Sequence, residues 1–157
     1  MKNQNAVSTQ TMPMVALRGL VLFPNTVTSV DIARERSLGA IRRAMEGDGR
    51  FFAVAQRDSM VDHPSGTDLY AMGTIAHIKH IVQQPDQSLR VLVEGEKRAL
   101  LLSVLEDEDS QAAVILPKDE PQEIADTNQK AIMRTIVSFV KSILNKRATP
   151  MPELIQA

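Results

Sequence analysis

Three histidines and one run of four acidic residues are the side chains in this 157-residue chain that could do chemistry. His77 and His80 stand three residues apart. On a helix both imidazoles would share a face, as a metal site needs. On a strand the same spacing puts them on opposite faces, where they cannot share an ion. They fall in an extended stretch, so two partly exposed strand histidines are expected. His63 sits in a loop beside Pro64, with no nucleophile near it in sequence. Glu106, Asp107, Glu108 and Asp109 lack the alternating ligands and central glycine of a calcium loop, and a solvated, self-repelling turn is expected. Gly47-Asp48-Gly49 has no following lysine and no strand before it, so it reads as a helix stop and not a phosphate cradle. No serine lies in a nucleophile-elbow pattern. The absence of cysteine removes disulfides, thiolate zinc sites and thiol nucleophiles together. The reading is therefore no catalytic residue, no metal site and no cofactor held by this chain.

The remaining composition points the same way. Lys plus Arg is 18 and Asp plus Glu is 19, a formal charge of −1, so no net field draws in nucleic acid or an anionic membrane. Aromatic residues make up 3%, too few for a stacking platform on single-stranded nucleic acid. The longest apolar run falls far short of the ~18 residues of a membrane helix. The polar residues 1–11 have no hydrophobic signal core and read as a disordered lead-in to a cytoplasmic protein.

The elements that would position these side chains are mostly strands. Residues 14–17 form a short apolar strand, Arg18-Gly19 interrupt, and the apolar run 20–23 ends at a Pro24-Asn25 turn. The β-branched stretch 26–33 is a second strand. Over 34–46 the period changes: Leu38, Ile41 and Met45, with Ala44, line one side of a helix and Arg36, Arg42 and Arg43 the other. Residues 51–56, apolar almost throughout, read as a strand buried on both faces. Residues 57–67 are a loop. The stretch 69–83 alternates imperfectly, with Ile75 and Ile81 on one face and Ala76, Ile78 and Val82 on the other, as in a bent or bulged strand. A turn at 84–87, a strand at 89–93, a break at Glu94-Gly95-Glu96, and strands at 98–105 and 112–116 follow. So many short-linked strands favour a closed or nearly closed barrel, or two packed sheets. From Pro121 an apolar stripe at helical spacing predicts a helix of about 25 residues, ~37 Å long. Residues 149–154 read as the start of another helix, so a helical region cut short is expected.

The run Met14-Val15-Ala16-Leu17-Arg18-Gly19-Leu20-Val21-Leu22-Phe23-Pro24 resembles the opening of the N-terminal domain of Lon proteases. Further blocks follow in the family's order: Arg34-Glu35-Arg36-Ser37, Val54-Ala55-Gln56-Arg57-Asp58, Asp68-Leu69-Tyr70-Ala71-Met72-Gly73, and Val91-Leu92-Val93-Glu94-Gly95-Glu96-Lys97-Arg98. Ala16 stands where that family usually has proline. The resemblance implies an α+β fold, a mostly antiparallel, PUA-like β pseudo-barrel with one inserted helix. A long C-terminal helix then opens a helical subdomain. The implied organisation is a lead-in over 1–11, a β-rich domain over 12–117, and the truncated helical start over 118–157. Complete Lon proteases carry an ATPase module, with ATP and Mg, and a serine–lysine protease domain, for which these residues hold no sequence.

The function implied is a non-catalytic domain that captures unfolded or degron-bearing proteins for an ATP-dependent serine protease. The substrate contacts expected are apolar residues in loops and strand ends: Leu22, Phe23, Met60, Val61, Tyr70 and Met72. Methionine suits surfaces that accept many apolar partners. On the C-terminal helix Ile132, Ile136, Phe139 and Ile143 are expected to mediate self-association, a dimer for this chain and a hexamer for the parent. Arg18 is expected to pair with a carboxylate or backbone carbonyls. The alternative is an RNA-binding PUA-like module, which the near-zero charge and scarce aromatics oppose. A small hydrolase is weaker still.

Overall fold

The computed structural model describes residues 8–119 and 127–145. Chain contacts divide it into two units, 1–120 and 121–157. The first is an α+β unit with one mixed, mostly antiparallel sheet. Its elements are β1 (Gln10–Leu17), β2 (Val27–Ile32), α1 (Glu35–Glu46), β3 (Arg50–Ala55), β4 (Met72–Gln83), β5 (Leu89–Glu106) and β6 (Gln111–Pro117). A single 3-10 turn, Gly66–Asp68, precedes β4. The strand order is β2-β5-β4-β3-β1-β6, and β5 also pairs with β6, which closes five of the strands into a ring. β2 stays outside it, paired with β5 alone. β1 and β3 run parallel, as the intervening β2 and α1 crossover requires.

Two clusters of buried side chains fill the unit, and β1 and β3 belong to both. Val15, Leu17, Phe51 and Ala53 pack with Ile41 and Ala44 of α1 and with Val91 and Val93. Met14, Ala16, Phe52 and Val54 pack with Leu69, Ile75, Ala99 and Ile115. Adjacent Phe51 and Phe52 thus point into different clusters. A strand with apolar neighbours on both sides has no solvent face, which is why 51–54 shows no alternation.

The structure moves several expected boundaries and faces. β1 begins at Gln10 and not Met14, because residues 10–13 pair with β6, so the end of the expected lead-in belongs to the sheet. Residues 1–7 lie outside the described residues. α1 buries Ser37, Ala40, Ile41 and Ala44, whereas Met45 is exposed. The predicted break at Glu94-Gly95-Glu96 is absent, since β5 runs through it. The register with β4 slips there, leaving Glu96 without a partner, so the strand bulges without ending. A second slip leaves Lys79 unpaired. It reverses the alternation, so Ile81 packs in the cluster of Ala76 and Ile78, not on the face of Ile75.

Gly95 owes its place to close approach. A Cβ built there would lie 2.1 Å from the Phe23 carbonyl oxygen. The Gly95 N–H donates to Thr26 O at 2.9 Å, and Asn25 N–H donates to Gly95 O at 2.8 Å. Asn25 holds a left-handed φ of 58°, so Pro24-Asn25 is the tight turn its residues predict.

The second unit contains α2 (Thr127–Asn145), which falls within the helix predicted from Pro121. Its 19 residues span ~28 Å. The helix start predicted at Pro121 and the reading of 149–154 lie outside the described residues.

Replacing Gly95 by alanine forces the rigid backbone of the 23–26 turn away from β5. We expect a loss of about 2 kcal/mol, within the range for overpacking a tight site. Thermal unfolding measures it; an unchanged midpoint would contradict the packing described.

Candidate functional site

The 20–26 segment leaves β1 at Gly19 and crosses in front of β3 and the start of β4. Two hydrogen bonds hold it in place besides the Gly95 pair: Thr74 Oγ1 donates to Leu22 O and Thr26 Oγ1 donates to Phe23 O, both at 2.7 Å. On the facing wall Tyr70 N–H donates to Ala55 O at 3.1 Å. Leu22 turns inward and is buried in the core cluster. Val21 and Phe23, on either side of it, are left outside. An alternating extended segment pinned at its inward residue must do this.

The result is a groove of about 480 Å3 between this segment and the residues entering β4. Phe23, Tyr70 and Met72 line it and are 52%, 47% and 43% exposed. Ala53 and Ala55 form part of its floor, and Val21, Arg57 and Arg98 also face it. The Arg57 guanidinium lies 5.0 Å from the Tyr70 ring centroid, and its Nε donates to Leu69 O at 2.9 Å. That cation–π contact holds the ring, which stays about half exposed. The groove is lined by apolar surface and by the aromatic side chains of Phe23 and Tyr70, with Arg57 and Arg98 among its lining residues.

Of the six residues predicted to touch substrate, Leu22, Phe23, Tyr70 and Met72 come together here. Leu22 contributes from a buried position. Met60 and Val61 lie elsewhere, in the 57–65 loop. Met60 projects from that loop, 83% exposed, and Val61 serves through its carbonyl, which accepts from Arg18 Nη2 at 3.3 Å and Gln56 Nε2 at 2.9 Å. Val21, Arg57 and Arg98 were not singled out in the sequence. Arg57 lies two residues past the end of β3, and only the tertiary fold brings it over Tyr70, thirteen residues further along the chain.

Several charged groups outside the groove pair across the fold. Arg18 Nη2 donates to Asp62 Oδ1 at 2.6 Å, as expected for an arginine between apolar runs. That hydrogen bond holds the Asp62 carboxyl below the usual carboxylate range. Arg34 reaches Ala16 O and Asp62 O, and burial lowers its pKa. The acidic turn is not the self-repelling one predicted. Arg36 pairs with Glu106 at 3.4 Å, and Arg43 of α1 pairs with Asp107 and, at 3.3 Å, with Asp109. Arg43 accordingly lowers the Asp107 pKa. The reason is tertiary: Gly39 lets α1 approach the backbone of Asp109 so closely that a Cβ would meet its oxygen at 2.1 Å.

The register slip at Lys79 also corrects the histidine geometry. With the alternation reversed between them, His77 and His80 both lie opposite the face of Ala76, Ile78 and Ile81. Even so, no group of three or more His, Cys, Asp or Glu side chains that could hold a metal occurs among the described residues. In α2, Ile132, Ile136, Phe139 and Ile143 recur at helical spacing and are all exposed. None of the described helices is long and apolar enough to cross a membrane.

A ring of strands holding an open apolar groove is the architecture of a binding domain. The chain belongs to the ATP-dependent protease La (LON) substrate-binding domain family, which matches residues 11–156. It is 35% identical over 142 residues to a Lon protease of Halothermothrix orenii, covering 88% of this chain and 18% of that protein. The chain therefore spans about a fifth of the length of that relative. Its fold is that of the N-terminal domain of Mycobacterium avium complex Lon protease, with a TM-score of 0.70 at 18% identity over 94% of this chain and 73% of the other. A Lon N-terminal domain protein from Xanthomonas campestris is similar at a TM-score of 0.66 and 15% identity, over 84% and 73% of the two chains.

Proposed function

We propose that this Lon N-terminal substrate-binding domain grips unfolded or degron-bearing proteins in the cytoplasm, without catalysis of its own, for an ATP-dependent serine protease. The observation that carries the reading is the groove. Phe23, Tyr70 and Met72 stay half exposed on a frame whose backbone is tightly pinned. Apolar groups left out in this way mark a contact surface. Unfolded chains expose apolar segments of varied shape, and methionine and a stacked tyrosine adapt to many of them. Each contact is weak. Several domains in one hexamer convert weak contacts into avidity, while ATP-driven pulling and cleavage take place in other modules.

Assembly is the second part of the proposal. The exposed stripe of Ile132, Ile136, Phe139 and Ile143 on α2 supports self-association of this chain. Sedimentation velocity over a range of concentrations should show a dimer that Ile136→Lys with Phe139→Lys dissociates; a strictly monomeric wild-type chain would contradict it.

For the groove, fluorescence anisotropy with a labelled, reduced and carboxymethylated protein measures client binding. Phe23→Ser with Met72→Ser should weaken it about thirtyfold, since each side chain contributes roughly 1 kcal/mol when its exposed half is covered. The thermal midpoint should hardly move, because both side chains are already half in water. Unchanged affinity would overturn the assignment of the groove.

A further inference from the structure

β2 pairs with β5 alone, so among the described residues its other edge has no strand neighbour. The ladder defines what that edge presents. The Gly95 N–H bonds Thr26 O, and the register carries on as Thr28 with Val93, Val30 with Val91 and Ile32 with Leu89. Alternation in an antiparallel ladder makes these the bonded pairs. It turns the N–H and C=O of Ser29 and Asp31 outward, to the free edge. Beside them lies a cavity of about 310 Å3, bounded by Leu17, Leu20, Val30 and Ile32, with Arg18 and Arg34 at its margin.

Free edges are normally blunted by proline, lysine or a bulge. β4 shows such blunting beyond its pairing with β3, which ends at His77. There it carries a register slip at Lys79, whose ammonium pairs with Glu94 of β5. β2 has none of these devices. Its sequence, Val-Thr-Ser-Val-Asp-Ile, contains neither proline nor lysine, and its register with β5 is unbroken. Its one charge, Asp31, is turned back onto its own sheet by Arg90, which donates to it at 2.8 and 3.1 Å.

We propose that the β2 edge takes up a client polypeptide in extended form as an added strand. It bonds the backbones of Ser29 and Asp31 and drops alternate apolar side chains into the adjoining cavity. Donors and acceptors repeating every second residue, ~6.8 Å apart, are matched by another extended backbone and by no compact ligand. The inference rests on the reading of this domain as a polypeptide binder, but it uses a surface separate from the Phe23 groove. It adds a sequence-tolerant grip, selective for segments that alternate apolar and polar residues.

The probe is a short, labelled peptide alternating valine and lysine, with two versions N-methylated on alternate backbone amides. The full chain should bind the parent peptide and slow hydrogen exchange at the Ser29 and Asp31 amides. One methylated version should lose at least tenfold in affinity and the other should bind as the parent does. Ser29→Pro, which removes an outward donor from an edge strand, should cause a similar loss. Ser29→Lys is a second blocking variant should the proline perturb folding. If both methylated peptides and both variants bind like their parents while Phe23→Ser with Met72→Ser loses affinity, the edge proposal fails and the groove reading stands. If a wild-type chain binds neither the peptide nor the carboxymethylated protein, both fail. Self-association that Ser29→Lys abolishes would place a second copy on the edge and overturn the proposal.

Discussion

The pairing of Gly95 with the 23–26 turn is the constraint on which the rest of the molecule depends. Two backbone hydrogen bonds join them at a distance where no Cβ fits. This contact sets the path of the 20–26 segment, and so decides which of its apolar side chains go inward. Leu22 is buried, and Val21 and Phe23 are left outside. The same contact coincides with the bulge at Glu96, where β5 turns from its pairing with β2 toward its pairing with β6. One glycine thus links closure of the ring to exposure of the groove.

The division of labour follows from burial. β1 and β3 have apolar residues on both faces and split the interior into two clusters, so neither strand can shift without disturbing both. Rigid strands carry the floor of the groove, through Ala53 and Ala55. The adaptable residues sit at its rim, on segments that lead into or out of strands. A frame that does not move lets a pliable rim bind without a large ordering cost. The unblunted edge of β2 fits the same logic, because backbone pairing is indifferent to most side chains.

Much of this was legible from residue pattern. The period change at α1, the two-sided burial of 51–54, the Pro24-Asn25 turn and the irregular β4 all follow from local chemistry. Four of the five family blocks contribute residues to the groove; Arg34-Glu35-Arg36-Ser37 instead opens α1. What could not be read depends on contacts between distant segments. Gly95 looks like a stop because a missing side chain weakens a strand, and only the approach of Phe23 shows why it is needed. The acidic turn looks self-repelling because Arg36 and Arg43 lie more than sixty residues away along the chain. A single unpaired residue, Lys79, reverses the faces of all that follow it in β4, which no alternation rule detects. Met60 and Tyr70 look alike as exposed apolar residues near a loop, yet tertiary packing sends only Tyr70 to the groove.

The central claim is that the apolar groove beside the 20–26 segment is where client chains touch this domain. Photocrosslinking tests it most directly: an unfolded protein carrying a photoreactive group is bound to the full chain, irradiated, and the labelled peptides are mapped by mass spectrometry. The account predicts label concentrated at Val21, Phe23 and the Tyr70-Ala71-Met72 stretch. Label spread evenly over the surface, or absent from those residues, would contradict it.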